Sequence, residues 1–217
     1  MKTIKFKNNT EEIQIGKVVC VGRNYADHAK ELNNAIPSSP VFFLKPDTAI
    51  LRNNAPFFIP NHSNDVHHEL ELVIKINRLG KHIEEKFAPK YYSEMTLGLD
   101  FTARDIQQDC KEKGLPWEIA KAFDGSAPLG KFISAEPLKN GDLNFELLKN
   151  GKLQQTGNTS DMIFNINQII AYVSQFMTLK IGDLIYTGTP AGVSKVEKGD
   201  ILVGNLDGQE LLSCKVL

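Results

Sequence analysis

His67-His68-Glu69-Leu70-Glu71-Leu72-Val73-Ile74-Lys75-Ile76 is the stretch on which the reading of this chain turns. Leu70, Leu72, Ile74 and Ile76 fall on one side of an extended chain, because successive strand side chains point to opposite faces. Glu69, Glu71 and Val73 fall on the other. At the rise of a strand the two carboxylates lie roughly 7 Å apart, and two ionised acids converging from one strand repel unless positive charge sits between them. An edge strand with its acids in water would carry this pattern without any chemistry. The balance shifts at Gly98-Leu99-Asp100-Phe101-Thr102-Ala103-Arg104-Asp105, a turn-to-helix signal that places a third acid where a chain leaving a strand can supply a loop ligand. Three carboxylates suit a hard, oxygen-preferring ion, Mg2+ or Mn2+ before Zn2+. His67 shares the face of the two glutamates and keeps a histidine-containing zinc or manganese site open as the alternative.

The 217 residues suffice to bury a full core and are read as a single domain, 1–217. A formal net charge of -1 gives no nucleic-acid footprint and no attraction to an anionic membrane. No apolar run approaches the ~20 residues of a membrane span. Residues 1–9 alternate Ile4 and Phe6 with lysines and lack the apolar stretch of a secretory signal. Cys20, Cys110 and Cys214 are odd in number and widely spaced, which argues against a disulfide framework or a cysteine metal site and fits a reducing, cytoplasmic setting. Cys20, inside Val18-Val19-Cys20-Val21, reads as a small hydrophobe.

Residues 2–7 read as a strand, Asn8-Asn9-Thr10 as a turn and 13–15 as a short return, before the run 18–21 leads to Gly22-Arg23-Asn24-Tyr25. Residues 27–33 have helical character. There His28 and Glu31, spaced i, i+3, share a face on which the acid can orient the imidazole and raise its basicity, although such pairs are common on solvated helices. The polar, proline-bearing residues 33–40 read as a mobile loop, and the helix attached to them as a lid. Residues 41–44 form an expected buried strand, 56–60 an extended segment, and 81–94 a charged surface connection with one helical turn. A helix is expected over 102–113 with Gly114 as its stop, carrying Gln107 about two turns past Asp100. Lys121 follows in the apolar company of Ala120, Ala122 and Phe123, where a functional ammonium and a snorkelling one are equally compatible with the pattern.

Residues 145–155 read as a hairpin about a type I′ Asn150-Gly151 turn. The clearest helix is expected to begin at Ser160 or Asp161, with Ile166, Ile169, Ile170, Val173, Phe176 and Met177 facing the core. The strand 184–187 runs into Gly188-Thr189-Pro190-Ala191-Gly192-Val193, whose N–H groups and hydroxyls can face an anionic group. Strands 201–206 and 210–217 about Asp207-Gly208 close the chain. Short strands around two strong helices predict an α+β fold, predominantly β.

Five of these pieces together resemble the fumarylacetoacetate hydrolase family, over about residues 17–206. They are Gly22-Arg23-Asn24-Tyr25 with its downstream His28, His68-Glu69-Leu70-Glu71, the segment from Gly98 to Asp105, Ala120-Lys121-Ala122-Phe123-Asp124, and Tyr186-Thr187 with the following Gly-Thr loop. Chain length is most similar to the acylpyruvate hydrolase and oxaloacetate decarboxylase branch. The resemblance implies a rolled mixed β-sheet with a few flanking helices, a homodimer, and Mg2+ or Mn2+ held by Glu69, Glu71 and Asp100. By the same transfer His28 and Glu31 are the catalytic pair on a lid, Lys121 contacts the reacting oxygens, and Arg23, Gln107 and Thr189 hold the substrate. The implied activity is metal-dependent carbon-carbon cleavage of a small 2-oxo acid through a metal-stabilised pyruvate enolate, by acylpyruvate hydrolysis or oxaloacetate decarboxylation, with His28 and Glu31 activating water. The alternative is an isomerase or tautomerase of 2-oxo or unsaturated dicarboxylic acids, because enolate stabilisation and a proton shuttle suffice for both.

Overall fold

The computed structural model describes residues 3–5, 12–32 and 35–217. The chain opens with β1 (Thr3–Lys5), β2 (Glu12–Gln14), β3 (Val18–Val21), α1 (Ala26–Glu31), β4 (Phe42–Lys45) and β5 (Ile50–Leu51). It continues through β6 (Val66–His68), β7 (Leu70–Ile76), β8 (Tyr92–Leu99), β9 (Thr102–Ala103), α2 (Arg104–Lys113) and α3 (Glu118–Lys121). Then follow β10 (Ala127–Pro128), β11 (Ile133–Ser134), α4 (Pro137–Asn140), β12 (Asn144–Lys149), β13 (Lys152–Asn158) and α5 (Ile166–Phe176). The chain closes with β14 (Leu184–Tyr186), β15 (Ser194–Lys195), β16 (Ile201–Leu206) and β17 (Gln209–Lys215).

β7 is the organising strand. It lies inside a six-stranded mixed sheet of order β11-β8-β7-β14-β3-β4, in which only β14 and β3 run parallel. All seven of its residues are buried, so the edge-strand reading of the acidic stretch does not apply. Leu70, Leu72, Ile74 and Ile76 enter the main core with Leu97, Leu99, Ile169 and Ile170, while Val73 packs on the other side with Val18, Cys20 and Leu184. A meander of order β13-β12-β16-β17 and a small sheet of order β15-β6-β9 complete the site's surroundings. The result is an α+β architecture of mixed sheets with few helices. No helix among the described residues is long and apolar enough to cross a membrane.

Several local expectations hold because they rest on local chemistry. Asn150 and Gly151 take φ of 53° and 76° in the β12–β13 turn, and Asp207 and Gly208 take 45° and 78° between β16 and β17. Gly114 ends α2 in the left-handed region at φ 64°. The three cysteines are free and buried.

Other boundaries move. The expected helix start at Ser160 or Asp161 is instead a single 3-10 turn over Thr159–Asp161, and α5 begins at Ile166 behind an Asn165–Gln168 capping box. The intervening residues are held elsewhere: Ile163 and Phe164 donate their N–H groups to the backbone and side-chain oxygens of Asn24, at 2.8 and 2.7 Å. The expected buried strand at 41–44 is an edge strand, β4, with Leu44 exposed; its buried residue is Lys45. The amino-terminal strands are found at Thr3–Lys5 and Glu12–Gln14, and the expected turn at residues 8–10 lies outside the described residues, as do 33 and 34 of the expected loop.

Candidate active site

Glu69 sits in the step between β6 and β7, Glu71 within β7, and Asp100 immediately after β8. The β7–β8 register pairs Glu71 with Gly98, and Asp100 N donates to Glu69 O at 2.8 Å, which brings the third acid to the other two. All three carboxylates are buried, and one oxygen of each lies within 4.8 Å of the others. His67 turns away to Asp65, with Nε2 3.1 Å from Oδ1, and is not part of this cluster; the histidine-containing zinc site is therefore not formed.

Three cations stand around the acids. Lys121 Nζ donates to Glu69 Oε2 and Asp100 Oδ2, both at 2.8 Å, and to Thr102 Oγ1 at 2.5 Å. Arg104 gives one N–H to Glu69 Oε1 at 2.5 Å and another to Gln107 Oε1 at 2.7 Å. Lys45 directs its hydrogen bonds to Phe101 O, Ser126 O and Ser126 Oγ, at 3.2, 3.0 and 2.9 Å. Its Nζ also stands 2.7 Å from Asp100 Oδ1, a buried ion pair.

The charges divide the acids. Burial alone would raise Glu69, but Lys121 and Arg104 outweigh it and hold the carboxyl well below its usual range. Glu71 is pushed well above its range by burial and by the neighbouring charges of Asp100 and Glu69, with only the Gly188 N–H at 2.7 Å and the more distant Lys121 in opposition. Burial lowers Lys121, and Asp100 with Glu69 more than restores it, so it stays an ammonium. A buried carboxylate repelled by two others is the environment a divalent cation relieves, and an all-oxygen donor set suits Mg2+ or Mn2+.

His28 and Glu31 form the second feature. His28 Nδ1 lies 3.2 Å from Glu31 Oε2, and Gly192 N donates to Glu31 Oε1 at 3.0 Å, tying α1 to the Gly-Thr loop. The acid accepts the Nδ1 proton, which leaves Nε2 as the basic atom. Burial lowers the His28 pKa, with Glu69 and Glu31 opposing, so the ring is neutral at pH 7. Gly188 and Gly192 have φ of 100° and 97°, and a Cβ at Gly188 would come within 2.6 Å of Asn24 Cβ. The backbone turns there only with glycine, and each N–H reaches an acid.

Gln155, unremarked in the sequence, organises the loop from the meander. Its Oε1 accepts from Leu70 N and His68 Nδ1, both at 3.0 Å, and its Nε2 donates to Thr189 Oγ1 at 2.9 Å and Pro190 O at 3.0 Å. Thr189 Oγ1 in turn donates to Leu70 O at 2.8 Å, so this hydroxyl has no proton to offer a substrate. Burial takes His68 down to about 4, making it a neutral link to Ser194 Oγ at 2.8 Å.

A family described as fumarylacetoacetate (FAA) hydrolase C-terminal matches residues 17–216. This chain belongs to the fumarylacetoacetate hydrolase family. Among curated relatives, the mitochondrial oxaloacetate tautomerase FAHD1 of Bos taurus is 45% identical over 200 residues, 92% of this chain and 90% of the relative. The mitochondrial oxaloacetate decarboxylase of Dictyostelium discoideum is 47% identical over 195 residues, 88% of this chain and 89% of the relative. Among solved structures, fumarylpyruvate hydrolase from Pseudomonas aeruginosa, in complex with Mn2+ and pyruvate, is 34% identical with a TM-score of 0.92, covering 100% of this chain and 95% of that one. The family's members are enzymes acting on small acids, and the mixed sheets with few helices match their fold.

Of the residues anticipated for the site, Glu69, Glu71, Asp100 and Lys121 converge, His28 and Glu31 are paired, and buried Gln107 joins through Arg104. Arg23 is half-buried beside α1. Lys45, Arg104 and Gln155 went unassigned. A lysine closing the apolar run before Pro46 was a signal for the first, and the arginine of the Thr102-Ala103-Arg104-Asp105 motif for the second. Gln155 carries none.

Proposed function

We propose that the chain is a Mg2+- or Mn2+-dependent enzyme of the dicarboxylic 2-oxo acid oxaloacetate, interconverting its keto and enol forms. The observation that carries this is a buried triad of converging acids beside a neutral His28 that Glu31 orients. Glu69, Glu71 and Asp100 would hold the ion, which supplies Lewis acidity toward the oxygens of a 2-oxo acid. His28 Nε2 takes the proton from the carbon next to the keto group and delivers it to the former keto oxygen, and carries it back in the reverse direction, while Glu31 holds the imidazole in the right tautomer and Gly192 holds Glu31. Lys121, kept as an ammonium by Asp100 and Glu69, sets positive charge beside the oxygen on which charge develops. Arg23 and Gln107 bind the substrate carboxylates, and Thr189, through Gln155, keeps the loop in place.

A second reading, carbon-carbon cleavage of the same acid or of an acylpyruvate, has its support in the decarboxylase and fumarylpyruvate hydrolase relatives. It needs the same enolate, formed by loss of CO2 or by attack of a water that His28 deprotonates. Sequence reading put cleavage first; the tautomerase relatives weigh toward interconversion. Metal-stripped protein given oxaloacetate or acetylpyruvate, with and without added Mg2+ or Mn2+, tests both, with enol absorbance and pyruvate followed together. Metal-dependent enol-keto exchange without pyruvate supports the first reading and metal-dependent pyruvate the second. Turnover of either substrate that ignores the metal would remove the metal-dependent reading.

A further inference from the structure

Lys121 stands between two of the three converging acids. Its three protons go to Glu69 Oε2, Asp100 Oδ2 and Thr102 Oγ1, at 2.8, 2.8 and 2.5 Å, so the ammonium already holds one oxygen of each of two acids. Arg104 takes the other oxygen of Glu69, and Lys45 stands 2.7 Å from the other oxygen of Asp100. Glu69, Glu71 and Asp100, ionised as ligation requires, are thus faced by the three positive charges of Lys45, Lys121 and Arg104. Lys45 and Lys121 are fully buried and Arg104 nearly so, leaving little water to screen what is added. A divalent ion on these acids brings two positive charges into a cluster that is already balanced.

We infer that Lys121 is a tethered counter-cation that competes with the divalent ion for Glu69 and Asp100, so that the ion binds weakly alone and tightly together with a dianionic acid. The dianion's two charges offset the two that the ion adds. Because coupling between two ligands is reciprocal, the ion tightens the dianion by the same factor that the dianion tightens the ion. A monoanion offsets only half the excess, so it tightens the ion less than a dianion does. The inference rests on the metal-site reading above and deepens it by naming what sets the ion's affinity. It also has an unusual consequence: removing a side chain of the site improves metal binding.

The test is calorimetric titration of Mn2+ into the metal-stripped full chain, as wild type and as Lys121→Gln, with free Mn2+ followed by electron paramagnetic resonance. Each protein is titrated alone, with oxalate as an unreactive dianion, and with oxamate as its monoanionic counterpart, after correction for complexes formed in solution. Lys121→Gln alone is expected to bind Mn2+ about tenfold more tightly than wild type. Oxalate is expected to tighten Mn2+ binding to wild type by about tenfold, and oxamate by clearly less. Equal or weaker Mn2+ binding by a Lys121→Gln protein with the wild-type circular dichroism spectrum overturns the competition. If that variant does not fold, the wild-type arms decide, and equal effects of oxalate and oxamate overturn the charge argument. Absence of Mn2+ binding to wild type under every condition would overturn the metal site and this inference together, whereas tight Mn2+ binding indifferent to both the variant and the dianion removes the inference alone.

Discussion

The two ends of β7 both bury charge and do opposite things with it. At the carboxyl end Lys75 faces Glu94 directly across the β7–β8 ladder, with Nζ 2.6 Å from Oε2 and 4.3 Å from the centroid of the Phe132 ring. Cation and acid meet in register, the cross-strand arrangement that stabilises a sheet. At the amino end three acids converge from a strand, a strand break and a loop, and the cations around them leave Glu71 against two like charges. A buried ion pair in register between two strands is architecture; a buried cluster left with excess repulsion is prepared for something that arrives later.

Glu71→Gln tests that difference at its widest. We expect turnover to fall by more than the roughly 10–100-fold that outer-shell partners of a metal site cost, with the fold intact, since Gln can still accept from Gly188 N. Steady-state rates and circular dichroism check both halves. At the other end, Glu94→Gln removes the charge beside a buried ammonium and should cost about 3–5 kcal/mol in denaturant unfolding, while Mn2+ affinity stays that of wild type. Loss of metal binding there would merge the two ends into one network. Gln155→Leu is smaller: burying the Leu70 and His68 donors without their acceptor should cost about 1–3 kcal/mol, and activity should drop as the Gly188–Gly192 loop loosens.

The smallest effects are in pH dependence. Glu71 is raised in the folded protein above its ordinary value of 4.5, so between that value and the raised one the native state keeps a proton that the unfolded chain has released. Stability of the metal-free protein should therefore fall as pH rises through that window, and Glu71→Gln should flatten the slope in thermal melts taken at several pH values. His28 moves the other way. Its pKa lies below the ordinary 6.5, so the acid limb of kcat/KM for metal-loaded enzyme should fall below pH 6.5, and a limb at or above that value would mean another group is the base.

Much of the molecule was legible because it is decided within a few residues. The Asn150-Gly151 and Asp207-Gly208 turns need positive φ at both positions, which those residue types accept, and Gly114 ends α2 for the same reason. The acids, His28 with Glu31, and the Gly-Thr loop stood out because carboxylates in an apolar strand and an i, i+3 pair are local patterns. The start of α5 is not decided locally: Asn24, 139 residues before Ile163, takes the N–H groups that would have continued a helix from Ser160. Lys45 directly follows the strand expected at 41–44, and only packing against Phe101 and Ser126 buries it beside Asp100.

The sequence by itself determined the β-rich class, the hairpins, the acidic face and the family, because alternation, turn chemistry and motif order are properties of neighbouring residues. Tertiary structure alone decided that β7 is interior, that His67 turns to Asp65, and that Lys45, Lys121 and Arg104 set the charge around the acids. Those outcomes depend on contacts between residues far apart in the chain, and the protonation of a buried group follows from the charges that folding places beside it.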